Sequence, residues 1–412
     1  MGLLDPATAI IVSFCFFGVM LYKRVHLGIT LNATALLLGF LSLNLLEIPS
    51  KIFETSIDLL TISVVLATFG IMWLSQLYKE TGVIKDLSES LSKIIKNSKI
   101  LSSVLPAIIG FLPVAGGALM SAPIVDYETE KLKLKPEKKA YVNLWFRHTI
   151  FPLYPVSQAL IIAAALTKIS MPYIIVRQVP VVTVMITVGY LICFGKVSNP
   201  NSKEKPRMES ESNLKSFFIA FSPILITIIV AAGLDLTGLG FPEQGFDVLA
   251  ATSVGLVVLI IISKLNLKAF VNPLKSWGIY GITFAVYGAF LLRNMMSGAG
   301  ISEIFQTLVT NGSAHIILLL TIVPAVLGVV TGSPEGGIAI SVSILSGTLI
   351  FSPKTAALIY ISAYLGYVIA PTHLCFLLTA DYFKCPLGKV YKYLIPSFLL
   401  AFATALLIYI LF

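Results

Sequence analysis

Two short segments of this chain decide its fold: GFLPVAGGALMSAP, from Gly110 to Pro123, and VTGSPEGGIAIS, from Val330 to Ser341. The apolar arms on either side of each segment are too short to cross a bilayer alone, since a membrane-spanning helix needs roughly 20 apolar residues. Irregular backbone is tolerated at membrane depth only where it lines a cavity or is buried in protein. The two breaks therefore predict two re-entrant hairpins around one central binding site, an arrangement common in secondary transporters.

Corresponding positions in the two breaks carry the same residue types. Gly116 and Gly117 fall opposite Gly336 and Gly337, and Ser121 falls opposite Ser341. Because glycine permits close backbone approach and unusual dihedral angles, we expect both glycine pairs to shape the tips of hairpins over residues 99–125 and 314–347. These glycines and serines are candidate substrate-binding or ion-binding residues.

The composition predicts an all-α polytopic membrane protein. Of the 412 residues, 57% are hydrophobic and 12% are charged, which excludes a soluble domain with a large core. The net charge of +9 comes from basic residues in short loops without interleaved aromatic residues, so we expect a lipid bilayer and no nucleic acid as partner. The four cysteines form neither a CxxC motif nor a metal-ligand spacing, so no metal site is predicted.

Hydropathy predicts ten membrane-spanning helices in addition to the two hairpins. The predicted spans cover residues 5–22, 29–46, 58–78, 141–168, 173–194, 216–234, 246–263, 275–292, 356–380 and 390–411. An amphipathic segment precedes each hairpin, at Val83–Lys96 and Ile301–Val309. Both segments are expected to lie in the plane of the lipid headgroups, and for the second segment an amphipathic helix on the aqueous side is the alternative.

Loop charges predict the orientation in the cytoplasmic membrane. The basic loops, such as Lys131–Lys139 with its five lysines, fall on one side of the predicted topology, which is therefore cytoplasmic. Both chain termini then lie outside. The first span is preceded by Asp5 and followed by Lys23 and Arg24, the reverse of the charge order in a secretory signal peptide. We therefore expect this span to be retained.

A polar stretch divides the chain into two similar halves. Residues 195–215 are charged and rich in serine and proline, and they predict a cytoplasmic linker. The halves on either side, 1–194 and 216–412, each contain five predicted spans and one hairpin. Because five is odd, the second half is predicted to be inverted relative to the first. The hairpins then enter from opposite sides of the membrane.

The span after each hairpin is also broken by proline. The sequences are WFRHTIFPLYPVSQ, from Trp145 to Gln158, and GYVIAPTHLCFLLT, from Gly366 to Thr379. A proline kink is one interpretation, since proline lacks an amide hydrogen. The other is an unwound segment that faces its hairpin tip, where helix N-termini bind an anion and freed carbonyls hold Na⁺. Pro155 and Pro371 are candidate site residues in these breaks.

Four ionisable residues lie near membrane depth and are candidates for function. Arg147 suits a substrate carboxylate, unless it extends to the cytoplasmic interface. His148 and His373 suit proton transfer because histidine titrates near neutrality, unless they are structural. Glu335 suits proton coupling, unless its hairpin tip faces external water. Neutral polar residues that suit hydrogen bonding to a substrate are Gln158, Thr331, Ser333, Ser121, Ser341, Thr372 and Asn143.

The segments GFLPVAGGALMSAPIV, WFRHTIFPLYP and APTHLCFLLT resemble the signature segments of an uncharacterised permease-like family, domain of unknown function 401, in the ion-transporter superfamily. That superfamily includes gluconate, citrate, C4-dicarboxylate and lactate permeases. The resemblance covers nearly the whole chain. It implies two inverted repeats, a homodimer held by scaffold helices, and an elevator-like movement of the hairpin domain. The Ser-Asn-Thr signature of the sodium-coupled symporters is absent, so the resemblance does not imply sodium coupling.

The sequence therefore predicts a secondary active transporter of a small organic anion, coupled to H⁺ or Na⁺. No HExxH, GxxxxGK[ST] or GxSxG motif is present, so we expect no enzyme activity and no cofactor other than a coupling Na⁺. A sodium/proton antiporter of the same superfamily is one alternative. A membrane enzyme or a non-transporting membrane protein is the other.

Overall fold

The computed structural model describes residues 2–112, 117–197, 210–301, 307, 315–346 and 349–412. Within these ranges every regular element is helical, and no β-strand is present. The α-helices are α1 (Pro6–Tyr22), α2 (Leu27–Ser42), α3 (Glu47–Ile57), α4 (Leu59–Glu80), α5 (Val83–Ile94), α6 (Ser98–Gly110), α7 (Ala118–Lys131), α8 (Pro136–Arg147), α9 (Gln158–Thr167), α10 (Met171–Phe194), α11 (Ser210–Thr237), α12 (Gln244–Ser263), α13 (Leu267–Val271), α14 (Trp277–Gly298), α15 (Ile316–Thr331), α16 (Pro334–Leu345), α17 (Pro353–Ile369), α18 (Leu374–Tyr382) and α19 (Leu387–Leu411).

Eight helical segments among the described residues are long and apolar enough to cross a membrane. Two of them, Pro136–Thr167 and Pro353–Tyr382, join the helices on either side of a predicted break. The shorter apolar helices α1 and α2 occupy the positions of the first two predicted spans. The predicted class, an all-α polytopic membrane protein, is confirmed, and the count of ten spans stays a prediction.

Several predicted boundaries differ from the structure. The second predicted span, 29–46, ends at Ser42, whose hydroxyl donates to the Leu38 carbonyl at 2.6 Å, and Leu43 is extended. Helix α3 follows between the second and third predicted spans. The sequence predicted an external loop there, because the apolar face of this segment is too narrow to suggest a span. Helix α11 begins at Ser210, inside the stretch predicted as a linker. The predicted segment Ile301–Val309 lies almost wholly outside the described residues.

The amphipathic helix α5 forms as predicted, but its apolar face packs against protein. Ile84, Leu87 and Leu91 are buried in a cluster with Leu105 of α6 and Ile224 of α11. Its polar face carries the charged residues. The apolar face that we expected to enter the lipid interface therefore packs against α6 and α11. This packing removes apolar area from water, as contact with lipid would.

The helices pack into two groups. A scaffold group contains α1–α5 and α11–α14, in which α2 packs on α14 and α4 packs on α12. A hairpin group contains α6–α10 and α15–α19, in which each hairpin packs against the broken span that follows it. The groups meet mainly where α14 packs on α16 and where α4 and α12 contact α9. Both predicted hairpins thus belong to one body.

The two halves of the chain have the same order of elements. Helix α9 packs on α16, and the corresponding helix of the second half, α18, packs on α7. Likewise α2 packs on α14 while α12 packs on α4. These paired contacts agree with two related halves, and the inverted repeat itself stays a prediction.

Candidate functional site

A cavity of about 430 Å³ lies between the scaffold group and the hairpin group. It extends from the buried side chains of Arg147 and His373 to the exposed Lys79 at the end of α4. The residues that the hairpin group contributes are Gly110, Leu112, Arg147, His148, Phe151, Gln158, Gly332, Ser333, Pro334, Glu335, Tyr367, His373, Leu374 and Cys375. The scaffold contributes parts of α2, α4 and α14. The cavity is therefore where both hairpins and both broken spans meet.

Each broken span contacts the hairpin that precedes it. Arg147 donates from Nη2 to the carbonyl of Leu112 at 3.1 Å, beyond the end of α6. A Cβ on Gly110 would lie 2.3 Å from the Arg147 carbonyl oxygen, so only glycine allows α6 and α8 to approach this closely. In the second half, the Thr372 hydroxyl donates to the Val329 carbonyl at 3.4 Å.

Three helix N-termini reach the cavity. Helix α9 begins at Gln158, α16 begins at Pro334 and α18 begins at Leu374, and all three residues line the cavity wall. The first amide groups of a helix have no intrahelical partner, and the aligned peptide dipoles place partial positive charge there. The convergence favours a bound anion.

Three buried polar side chains in this wall each have a nitrogen without a hydrogen-bond partner among the described residues. They are Arg147 Nη1, Gln158 Nε2 and His373 Nε2, on residues that are 5%, 2% and 1% exposed. A buried polar atom without a partner costs roughly 1–3 kcal/mol, so such atoms at a cavity indicate a ligand. Arg147 therefore faces the cavity and does not extend to the membrane surface.

The turn of the second hairpin differs from the predicted one. Gly332 has a φ of +61° in the left-handed region, and Thr331 donates from its hydroxyl to the Ser333 carbonyl at 2.8 Å. Gly332 is thus the residue that allows the turn. We instead predicted a turn at Gly336 and Gly337, because these residues correspond to the glycine pair of the first break.

Gly336 and Gly337 lie inside α16 and have helical backbone. A Cβ on Gly337 would lie 2.9 Å from the Gly328 nitrogen and 3.1 Å from the Ala363 Cβ. Its function is close packing, and the expectation of unusual dihedral angles was wrong for this pair. Gly117 is also right-handed, as the residue before α7, and Gly116 lies outside the described residues.

Glu335 is the second residue of α16 and accepts a hydrogen bond from the Ser333 hydroxyl. It is half-buried and lines the same cavity as Arg147. Among the described lining residues it is the one carboxylate. Glu335 therefore lines a cavity wall, and whether this cavity opens to the outside or to the cytoplasm stays a prediction.

His148 and His373 are in ring contact beside Tyr367. Their ring centroids lie 4.7 Å apart, and the His373 and Tyr367 centroids lie 4.0 Å apart. The Nδ1 of His148 donates to the Leu144 carbonyl at 2.7 Å, since a carbonyl only accepts. The Nε2 of His148 is therefore an acceptor, with a long 3.5 Å contact to the Tyr367 hydroxyl.

Other predicted site residues lie away from the cavity. Ser121 donates to Asn143 Oδ1 at 2.6 Å, and Asn143 donates to the Thr379 hydroxyl at 3.2 Å, which ties α7 to α8 and α18. Ser341 donates to the Gly337 carbonyl within its own helix. The remaining described residues that were predicted for the site but lie outside the lining are Thr331, Thr372, Pro155, Pro371, Gly117, Gly336 and Gly337.

Three tyrosines that were not predicted for the site donate hydrogen bonds to the unwound backbone. Tyr364 donates to the His148 carbonyl at 2.8 Å, Tyr360 to the Pro152 carbonyl at 3.4 Å, and Tyr391 to the Ile369 carbonyl at 2.8 Å. Tyrosine hydroxyls thus donate hydrogen bonds to three of the backbone carbonyls that the breaks leave without a helical partner. The signal was present as tyrosines four residues apart in the apolar segment of α17.

A second cavity of about 920 Å³ lies between the same two groups at their opposite end. It is lined by the far ends of helices that also border the first cavity, including Lys168 after α9 and Arg293 of α14. Glu54 and Asp58 are further charged residues in its wall. The packing of α9 and α16 on the scaffold separates the two cavities.

Comparison with solved structures identifies the class of fold. The structure resembles the YdaH transporter of Alcanivorax borkumensis with a TM-score of 0.60 at 14% identity, over 88% of this chain and 86% of that chain. It also matches MtrF of Neisseria gonorrhoeae, described within a class of antimetabolite efflux pumps, with a TM-score of 0.48 at 14% identity, over 89% and 83% of the two chains. The chain is a multi-pass membrane protein with a transporter fold.

The sequence places the chain in a family. Residues 7–412 match the family described as a protein of unknown function, DUF401, and the chain belongs to that family. No curated protein matches the sequence. The resemblance to this family is confirmed, and the wider kinship with gluconate and citrate permeases stays a prediction.

Proposed function

We propose that this protein is a secondary active transporter of a small organic anion and that the cavity holds a carboxylate of the substrate. The observation that carries the proposal is the buried Arg147, with an unpartnered Nη1 at a cavity where three helix N-termini converge. A guanidinium pairs with a carboxylate through short charge-assisted hydrogen bonds. The amide of Gln158 adds a neutral donor.

The size and lining of the cavity suit a small metabolite. Its volume of about 430 Å³ falls at the lower end of the range for small-molecule sites. The hairpin group contributes Arg147, Gln158 and Glu335 to the lining, whereas α14 contributes only glycine and apolar residues. The substrate would therefore be held by one body and covered by the other.

The two cavities support alternating access by an elevator-like movement. They lie at opposite ends of the interface between the scaffold and hairpin groups, separated by packed helices. A shift of the hairpin group along the scaffold would carry the site from one end to the other. The cavity with Arg147 extends to Lys79, which the charge rule assigns to the cytoplasm. This conformation is then inward-facing.

We favour proton coupling through Glu335 over sodium coupling. Glu335 shares the cavity with Arg147, so its charge state changes the electrostatic field that an anion meets. Several carbonyls released by the breaks already accept hydrogen bonds from tyrosine hydroxyls, which leaves less reason to place Na⁺ there. A sodium/proton antiporter is less well supported, because the unpartnered donor atoms of Arg147 and Gln158 at this cavity suit an anion and not Na⁺.

The proposal extends to location and assembly. We place the protein in the cytoplasmic membrane with both termini outside, on the asymmetry of loop lysines. We expect a homodimer formed through scaffold helices. Crosslinking of the full chain in native membranes tests this expectation, and a purely monomeric pattern would contradict it.

A thermal-stability screen of the purified protein tests the proposed function. Succinate, citrate, gluconate and lactate are the probes, since any ligand that binds the folded state raises the melting temperature. We expect at least one acid to stabilise the wild type and to lose its effect in Arg147→Gln. Equal stabilisation of both proteins would contradict a carboxylate site at Arg147.

A further inference from the structure

We propose that His148, His373 and Cys375 form a binding site for a divalent transition-metal ion of the zinc type. The imidazole nitrogens and the thiol sulfur lie within 4.8 Å of one another in the wall of the cavity. The sequence gives no hint of this cluster, because about 225 residues separate His148 from the other two ligands. The two broken spans bring them together.

Both histidines are oriented as metal ligands usually are. The Nδ1 of His148 donates to the Leu144 carbonyl at 2.7 Å, and the Nδ1 of His373 contacts the Val368 carbonyl at 3.4 Å. A hydrogen bond at one ring nitrogen fixes the tautomer and leaves the other nitrogen as the ligand. The Nε2 of His373 is buried and has no hydrogen-bond partner among the described residues.

The thiol completes a borderline-soft ligand set. Cys375 is free and is the second residue of α18. Two imidazoles and a thiolate suit Zn²⁺ better than Mg²⁺ or Ca²⁺, which take oxygen ligands. The thiol proton is released when the metal binds.

The geometry requires only small movements. In a tetrahedral site with Zn–N near 2.0–2.1 Å and Zn–S near 2.3 Å, ligand atoms lie roughly 3.3–3.6 Å apart. The present separations of up to 4.8 Å close to that range with side-chain shifts of about 1 Å. All three ligand residues line the cavity, which therefore provides the entry path for the ion. Arg147 opposes a cation there, and the thiolate and Glu335 offset its charge.

Cobalt titration of the full-length protein in detergent tests this site after treatment with a chelator. Co²⁺ bound to a thiolate gives a near-ultraviolet charge-transfer band, and four-coordinate Co²⁺ absorbs in the visible. We expect one equivalent to produce both signals and Zn²⁺ to displace it. Cys375→Ser should abolish the charge-transfer band. It should also weaken metal binding more than about 100-fold, because loss of a direct ligand costs more than the 10- to 100-fold loss seen when a residue that only orients a ligand is changed. The matched control Cys385→Ser should keep both.

X-ray absorption spectroscopy of the zinc-loaded wild type keeps the proposal testable if a variant fails to fold. We expect one sulfur and two imidazole nitrogens around the metal. A spectrum without sulfur, or no stoichiometric binding of Co²⁺ or Zn²⁺ by the wild type, would overturn the proposal. These experiments measure metal binding and not transport. A negative result would therefore overturn the metal site and leave the proposed function standing.

Discussion

At the scale of single residues, the site is defined by polar atoms that the fold buries without satisfying. Arg147, Gln158 and His373 each have an unpartnered nitrogen in one cavity wall. A structural network would bond these atoms, as Asn143 does with Ser121 and Thr379. Unpartnered buried polar atoms also occur away from this wall, as at Ser13 and Ser362, so these three nitrogens are candidates for ligand binding because they line one cavity.

Arg147→Gln should weaken the binding of a carboxylate probe roughly 10- to 100-fold, since a hydrogen bond to a charged group contributes about 1.5–3 kcal/mol. Calorimetric titration with the acid that stabilises the wild type measures the effect. Arg293→Gln is the matched control, because Arg293 lines the other cavity, and it should bind like the wild type. Similar losses in both variants would indicate a general field effect and contradict a direct contact.

Glu335→Gln should abolish accumulation driven by a pH gradient and keep substrate exchange, because glutamine resembles the protonated acid and exchange needs no net proton transfer. Uptake and exchange in proteoliposomes measure the two activities. Glu243→Gln, in the wall of the second cavity, is the control and should behave like the wild type. If Glu335→Gln accumulates substrate with unchanged pH dependence, Glu335 does not carry the coupled proton.

At the scale of elements, each hairpin is held against its broken span by small residues. A Cβ on Gly328 would lie 2.2 Å from the Ala363 carbonyl oxygen, and one on Gly366 would lie 2.1 Å from that of Ala325. Helices α15 and α17 therefore approach at backbone distance, which only small side chains permit. The hairpin and the broken span behave as one unit.

Gly337→Val should destabilise this unit by about 1–3 kcal/mol through overpacking and should abolish uptake. The reason is that a Cβ at this position would lie only 2.9 Å from the Gly328 nitrogen. Gly233→Val is the matched control, since no atom lies within 4 Å of the corresponding Cβ position on α11. Melting temperature and uptake are measured together. Wild-type values for Gly337→Val would mean that α16 does not need this contact.

The sequence predicts elements better than contacts. Breaks at Gly110–Pro123 and Val330–Ser341 show directly where apolar runs stop, so both hairpins and both broken spans are found close to their predicted positions. A glycine directly after an apolar run is a local signal for a helix end, so the turn at Gly332 could have been predicted, whereas the cluster at Cys375 depends on which atoms meet across the fold. No local pattern reports such meetings, because the two histidines of the cluster belong to different halves of the chain.

At the scale of the whole molecule, two bodies with a cavity at each end of their interface are the basis of the proposed mechanism. The hairpin group carries Arg147, Gln158 and Glu335, and the scaffold group lines the other side of the same cavity. In the proposed mechanism, access to the two sides depends on the position of one group along the other. The direction of each cavity follows from the membrane orientation, which loop charge predicts.

Cysteine labelling in intact cells tests that orientation. In a background without native cysteines, we expect Leu239→Cys to react with an impermeant maleimide from outside and Lys135→Cys to react only after permeabilisation. Both positions are exposed, so burial does not mask the result. The opposite pattern would reverse the membrane orientation, and labelling of both positions in intact cells would contradict the inverted repeat.

Uptake of labelled succinate, citrate, gluconate and lactate into proteoliposomes tests the central claim most directly. With an imposed pH gradient, we predict that the wild type and Arg293→Gln accumulate at least one acid above empty liposomes and that Arg147→Gln does not. Thermal melting of each variant before reconstitution establishes that it is folded. Accumulation of none of the four acids by folded wild type, or equal accumulation by Arg147→Gln, would contradict an organic-anion transporter whose site is the cavity at Arg147.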